Sequence, residues 1–173
     1  WEAGVLPLEE IDAYLAEYQH RFDLLDPTAP FMQVPDLHTA SGSTSGLIKL
    51  IADVPDGDKF FSLRHGSGLE MVDLAEGARW LVHAQAFDTS GIKTGLVGVP
   101  RVKGGKAYPL GTGYAGNLGI VTPEGTNLFE TLLLNLCVDR CTPQDSTPWE
   151  RDPDTAGPND RHLAPSGMAD LFS

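Results

Sequence analysis

The sequence predicts a mixed α+β domain, and three observations carry that prediction. Apolar residues recur at three- and four-residue steps in three separate stretches, short apolar runs bounded by turn residues lie between them, and the alternation is too irregular for repeated βαβ units. A chain of 173 residues is long enough to enclose one core, so residues 1–173 read as a single domain unit. Its 19 glycines and 13 prolines imply many turns and exposed loops, and no internal repeat is visible.

The first helix is written in "LPLEEIDAYLAEYQHRF". Leu8, Ile11, Leu15, Tyr18 and Phe22 fall on one face, Pro7 suits the first turn, and Glu9 and Glu10 complement the positive end of the helix dipole. In "DLLDPTAPFMQ", Pro27 and Pro30 stop the helix, and Phe31 and Met32 are expected to plug the core. A Ser/Thr/Gly loop follows at 38–46, then the short apolar run Leu47 to Ile51, helix or strand, and an expected strand from Lys59 to Leu63 after the Asp56-Gly57 turn. A second helix is expected from Ser67, with Ser67 and Glu70 as a capping box and Leu74, Ala78, Leu81, Val82 and Gln85 as its buried stripe; Gly77 within it implies a close neighbour. Beyond a glycine-rich loop, residues 117–125 read as strand and turn. "TNLFETLLLNLCVDR" reads as a third helix capped by Thr126, with Leu128, Leu132 and Leu136 on one face. The proline-rich stretch from Cys141 has no period and is expected to order only if Trp149 and Leu163 dock.

Charge is unevenly distributed. The formal net charge is -12, yet residues 59–106 hold seven Lys/Arg against four Asp/Glu, while both flanks are acidic. A basic island inside an acidic chain fits the footprint of a polyanion, because phosphate binding follows local charge; a solvated surface loop is the plainer alternative. The island overlaps "DTSGIKTGLVGVPRVKGGKAYPLGTGYAG" (88–116), where glycines let main-chain N–H groups come close to a ligand while Lys93, Arg101, Lys103 and Lys106 can neutralise phosphates. "GTGYAG" matches a dinucleotide fingerprint at Gly111, Gly113 and Gly116 but lacks the flanking strand and helix order, and "PRVKGGKA" has Pro100 and Ala107 where a P-loop needs Gly and Ser/Thr.

No catalytic constellation is apparent. His20, His38, His65, His83 and His162 have no metal-ligand spacing, and no G-x-S-x-G elbow is present. Cys137 and Cys141 read as thiols outside any disulfide. The chain is therefore read as a non-enzyme with no cofactor and no metal site. No apolar run approaches the roughly 18 to 20 residues of a membrane helix, so no membrane partner is expected and the reading is cytoplasmic. The start at Trp1 and the stop at Ser173 suggest an internal piece of a longer protein.

Three stretches carry a family resemblance. "RFDLLDPTAPFMQ" (21–33), "LAEGARWLVHAQAFDTSGIKTG" (74–95) and "NLFETLLLNL" (127–136), taken in order, resemble the CasA family, the large subunit of the type I-E CRISPR surveillance complex Cascade. The likeness covers part of that family's N-terminal domain, and the family's C-terminal helical bundle has no counterpart here. It implies an RNA-guided DNA-recognition subunit. Such a subunit reads the protospacer-adjacent motif of target double-stranded DNA from the minor groove, aids duplex opening and recruits the helicase-nuclease; its other partners are the remaining Cascade subunits and the CRISPR RNA.

Carried over residue by residue, the family's glycine loop matches Gly91, Ile92, Lys93, Thr94 and Gly95, and its loop near the RNA handle and the motif matches Phe61, Ser62, Leu63 and Arg64, running on through "RHGSG". Arg101, Lys103 and Lys106 join the DNA-binding set on charge. The longer glycine-rich loop and the cysteine pair of some relatives are not in this sequence. Two further readings stand beside this one: a protein-interaction scaffold without nucleic-acid contact, and a hydrolase, which would need His38 or His65 to meet a carboxylate.

Overall fold

The computed structural model describes residues 4–54, 62–89, 91–98, 102–110, 113, 115–116, 118–137, 144–153, 167 and 169. Within them the order is α1 (Leu8–Tyr18), α2 (Leu74–Phe87), β1 (Gly91–Thr94), β2 (Val102–Lys103), β3 (Lys106–Leu110) and α3 (Leu128–Leu134), with 3-10 turns at Gln19–Arg21, Leu47–Lys49 and Gly66–Leu69. This is the expected α+β class.

Helix α1 begins where Pro7 leaves a carbonyl for Ile11 N, 3.0 Å away, and its first turn carries Glu9 and Glu10. Its end is tied to a segment some 130 residues on. Trp149 Nε1 donates to the Tyr14 hydroxyl (2.7 Å), which donates to Glu150 Oε1 (2.6 Å). The Arg21 guanidinium donates to the carbonyls of Trp149 (3.2 Å) and Arg151 (2.7 Å). Phe22, Phe31 and Trp149 then stack as a triangle with centroids 5.6 to 5.9 Å apart. The proline-rich stretch does order where Trp149 docks; Leu163 lies outside the described residues. Phe31 and Met32 are half-buried and wall a cleft with Arg21, Gln85 and Trp149.

The intervening turn is built by Asp26. Its Oδ1 accepts from Thr28 N (2.8 Å), Thr28 Oγ1 (2.8 Å) and Ala29 N (2.7 Å), and these hydrogen bonds hold its carboxyl below the usual Asp range.

Helix α2 starts at Leu74, not at Ser67. Asp73 is the N-cap, accepting from Glu76 N at 2.7 Å, while Ser67 to Glu70 close only a 3-10 turn. Two capping patterns compete within seven residues, and the carboxylate cap is the one that nucleates the helix. The buried face also differs from the expected stripe. Gly77 and Ala86 are the buried residues of α2, whereas Leu74 is 59% and Val82 39% exposed. Gly77 has the close neighbour its position implied, Leu24 Cδ2, which would stand 3.4 Å from an added Cβ. Leu47 to Lys49 form a 3-10 turn that delivers Ile51 and Val54, the most deeply buried side chains among the described residues, at 2% and 0% exposure.

Residues 118–125 form no strand, contrary to expectation, and Val121 is almost wholly exposed. Helix α3 is capped by Asn127, whose Oδ1 accepts from Glu130 N at 3.0 Å; Thr126, the expected cap, instead donates to Glu130 Oε2 through its N–H (2.7 Å) and hydroxyl (2.6 Å). The strand expected from Lys59 to Leu63 lies mostly outside the described residues, and Ser62 and Leu63 belong to no strand.

Candidate nucleic-acid interface

The glycine-rich stretch, expected to be a loop, is a three-stranded antiparallel sheet of order β1-β3-β2. Its hairpin turn is the Gly-Gly dipeptide within "KGGK". Lys103 pairs with Lys106, and Gly104 and Gly105 between them have φ of +57° and +75°. Two consecutive left-handed residues make the two-residue turn whose twist matches the strands, and glycine enters it without strain. These glycines therefore shape a hairpin. On β1 the register runs Gly91↔Leu110, Lys93↔Ala107, Thr94↔Lys106, with a bulge between Gly91 and Lys93 that sets Tyr108 and Pro109 opposite Ile92. A proline lacks a ladder donor and is tolerated in such a bulge, even on this central strand. Gly95 N donates to Gly105 O (2.7 Å), and Val97 N to His38 O (3.0 Å), which anchors the sheet to the 38–46 loop.

This register sorts the candidate residues onto two faces. Thr94, Lys106 and Lys103 are cross-strand neighbours in one row, all exposed, and Ile92 on the same side of β1 is 61% exposed. Lys103 and Lys106 face each other as like charges, an arrangement that a bound anion would relieve. Lys93 belongs to the opposite face. It is half-buried, and its Nζ donates to both carboxylate oxygens of Asp88, at 2.6 and 2.9 Å. Arg101 lies outside the described residues.

Gly113 and Gly116 of "GTGYAG" have a packing role, and Gly111 lies outside the described residues. Gly113 N donates to Asp88 O (2.8 Å) and Ala115 N to Ala86 O (2.8 Å), so this segment satisfies carbonyls at the C-terminus of α2. A Cβ on Gly113 would overlap the backbone of Ala86 and Phe87. No phosphate need be invoked for them.

The second candidate group divides differently. Leu63 is 96% exposed and Ser62 half-buried, and Phe61 lies outside the described residues. Arg64 is drawn inward: Nη2 binds Glu76 Oε1, Nε lies 3.4 Å from Asp53 Oδ2, and its guanidinium carbon sits 5.9 Å from the Trp80 ring centroid. The hydrogen bond from Arg64, then that from Trp80 Nε1 (3.1 Å), holds the Glu76 carboxyl below the usual range; the same hydrogen bond to Glu76 raises the Arg64 guanidinium. Asp53, Glu76, Trp80 and Asp88 were not singled out from sequence. Only the Glu76–Trp80 spacing of one helical turn could have suggested a pair.

His38 Nδ1 meets the backbone oxygen of Asp36 at 2.7 Å, not a carboxylate. Among the described residues no group of three or more His, Cys, Asp or Glu side chains could hold a metal, and no helix is long and apolar enough to cross a membrane. Cys137 is exposed, and Cys141 lies outside the described residues.

The whole chain, residues 1–173, matches the family described as CRISPR-associated protein Cse1. This chain belongs to the Cse1 family. A curated relative, CRISPR-associated protein CasA/Cse1 of Thermus thermophilus, is 31% identical over 159 residues, covering 88% of this chain and 28% of the relative. The crystal structure of Thermobifida fusca Cse1 superposes with a TM-score of 0.82 at 51% identity, over 96% of this chain and 32% of that one. Cse1 from Acidimicrobium ferrooxidans gives 0.74 at 37% identity, over 96% and 31%. The family expectation is thus met, and this Cse1-family chain spans about a third of the length of the relatives it matches.

Proposed function

We propose that this chain is the duplex-contacting part of the DNA-recognition subunit of type I-E Cascade. In this reading the hairpin approaches target double-stranded DNA at the protospacer-adjacent motif, with Gly91 to Gly95 nearest the minor groove and Lys103 and Lys106 on phosphates. One observation carries it: in a Cse1-family chain of net charge -12, two lysines flank a tight turn on the exposed face of a sheet. Phosphate contacts would fix the orientation while the glycine-bearing strand reaches the groove. Arg101 joins this set on charge. Phe61, Ser62, Leu63 and Arg64 form the handle-side group, for which the nearly full exposure of Leu63 is the support.

The subunit would act without cleaving DNA, in the cytoplasm. It would aid duplex opening and recruit the helicase-nuclease, alongside the other Cascade subunits and the CRISPR RNA. The C-terminal helical bundle of the CasA family would come from sequence beyond this 173-residue domain unit.

The scaffold reading draws on a different observation. Leu128 and Leu132, one turn apart on α3, are 64% and 51% exposed, and Leu136 just beyond the helix is 48% exposed, a surface suited to protein packing. A photo-crosslinker at Ile92 in the full-length subunit within the assembled complex separates the two. The DNA reading predicts crosslinks to target duplex carrying the correct motif and few with a scrambled one. Absence of crosslinks while the complex still binds its target would favour the scaffold.

A further inference from the structure

We infer that Arg64 acts as a positioning residue for the segment 65–69 and does not itself touch nucleic acid. This rests on the handle-side reading of residues 61–64, but it reassigns the one cation in that group. The inference follows from what already surrounds the guanidinium. Glu76 Oε1 accepts from Arg64 Nη2 and also from Trp80 Nε1 (3.1 Å), Asp53 Oδ2 lies 3.4 Å from Nε, and the Trp80 ring lies beside the charge. Two carboxylates therefore face one cation, so its local field is already cancelled before any phosphate arrives. Its side chain is only 25% exposed and that of Glu76 only 21%.

Each partner of Arg64 is itself fixed. Glu76 N is held by the Asp73 cap at 2.7 Å, so the carboxylate stands on the first turn of α2. Asp53 lies between Ile51 and Val54, the most deeply buried side chains among the described residues. Arg64 N in turn donates to Ser62 Oγ at 3.1 Å. The clamp thus joins three otherwise separate segments: the 51–54 turn, residues 62–64 and the start of α2. Immediately beyond it, Gly66 takes φ +54° and the 3-10 turn Gly66–Leu69 begins, leaving His65, Gly66 and Ser67 exposed. A planar, multiply donating guanidinium is suited to a site with several fixed acceptors, which lysine could satisfy only in part.

The position of Glu76 makes the idea testable by the sign of an effect. If Arg64 touched phosphate directly, removing the competing carboxylate would strengthen binding, and Arg64→Ala would lower the salt dependence by about one phosphate contact. If Arg64 positions the loop, Glu76→Gln and Arg64→Ala weaken binding alike.

The experiment uses the full-length subunit carrying Arg64→Ala, Arg64→Lys, Glu76→Gln or the double change Arg64→Ala/Glu76→Gln. One arm measures hydrogen exchange of residues 62–70 in the free subunit. The other measures its association with the remaining complex loaded with CRISPR RNA at two salt concentrations. We expect faster exchange at 62–70 in every variant, least in Arg64→Lys. Association should weaken roughly tenfold for each single change, and the double change should be no worse than either single one, because residues of one network do not add. The salt slope should stay unchanged. Unaltered exchange at 62–70, or tighter association for Glu76→Gln with a shallower slope for Arg64→Ala, would overturn the inference. Faster exchange with unchanged association would leave the clamp standing and overturn the handle-side reading instead.

Discussion

Lys93 and Lys106 carry the same charge, yet their surroundings divide them. Lys93 already holds a carboxylate at 2.6 Å, whereas Lys106 has another lysine as its cross-strand partner. An exposed ion pair such as Asp88–Lys93 contributes about 0 to 1 kcal/mol to stability, but it lowers the cation's value to an incoming phosphate by neutralising it in place. The sequence shows which residues are basic and cannot show which are neutralised. Asp88 ends α2 and Lys93 lies in β1, and only the chain reversal between them brings the charges together. Arg64 is the same case, with partners at positions 53 and 76. The turn glycines make a sharper prediction at this scale. Gly104→Ala should lower stability by about 1 kcal/mol, because a Cβ is disfavoured at positive φ. Gly104→Asn should cost clearly less, since asparagine tolerates that region. Thermal unfolding of the two variants checks the difference, and equal losses would contradict the turn assignment.

Among the elements, the helices were legible because their apolar periodicity is local. Helix α1 was expected to end near Phe22, and the chain leaves its helical path after the 3-10 turn Gln19–Arg21. The start of α2 was misplaced because Ser67/Glu70 and Asp73/Glu76 are both plausible caps, and sequence does not say which one the surrounding structure selects. The sheet was illegible for a different reason. Strands of four, two and five residues, rich in glycine and broken by a bulge, offer no run long enough for alternation to emerge. The contact between α1 and the 147–151 segment depends on docking across more than 120 residues, and the one hint was an isolated tryptophan in a proline-rich tail. Trp149→Ala removes two ring contacts and the hydrogen bond to Tyr14. Since Trp149 is only half-buried, the cost should be about 2 kcal/mol, below the 3 to 5 typical of a fully buried aromatic. Limited proteolysis near residue 150 together with a lower unfolding midpoint would report it, and an unchanged cleavage pattern would contradict the docking.

For the molecule as a whole, the acidic balance and the exposed basic hairpin belong to one electrostatic arrangement. A chain of net charge -12 has little general affinity for DNA, so in the proposed reading a small cationic face would act only where an assembled complex presents it to the duplex. The α+β class and the family were both legible before any coordinates, the first from interleaved periodicities and the second from three stretches that match in order. The division of the basic residues between two faces was not, because it exists only once the register of the sheet is set.

The central claim is that the exposed row, and not Lys93, meets the phosphates. The most direct measurement is target-duplex binding by the assembled complex at two salt concentrations, comparing Lys103→Ala/Lys106→Ala with Lys93→Ala. The account predicts that the double variant loses affinity and lowers the salt slope by about two contacts, with Lys93→Ala close to the parent. The opposite ranking, or binding unchanged in both variants, would contradict it.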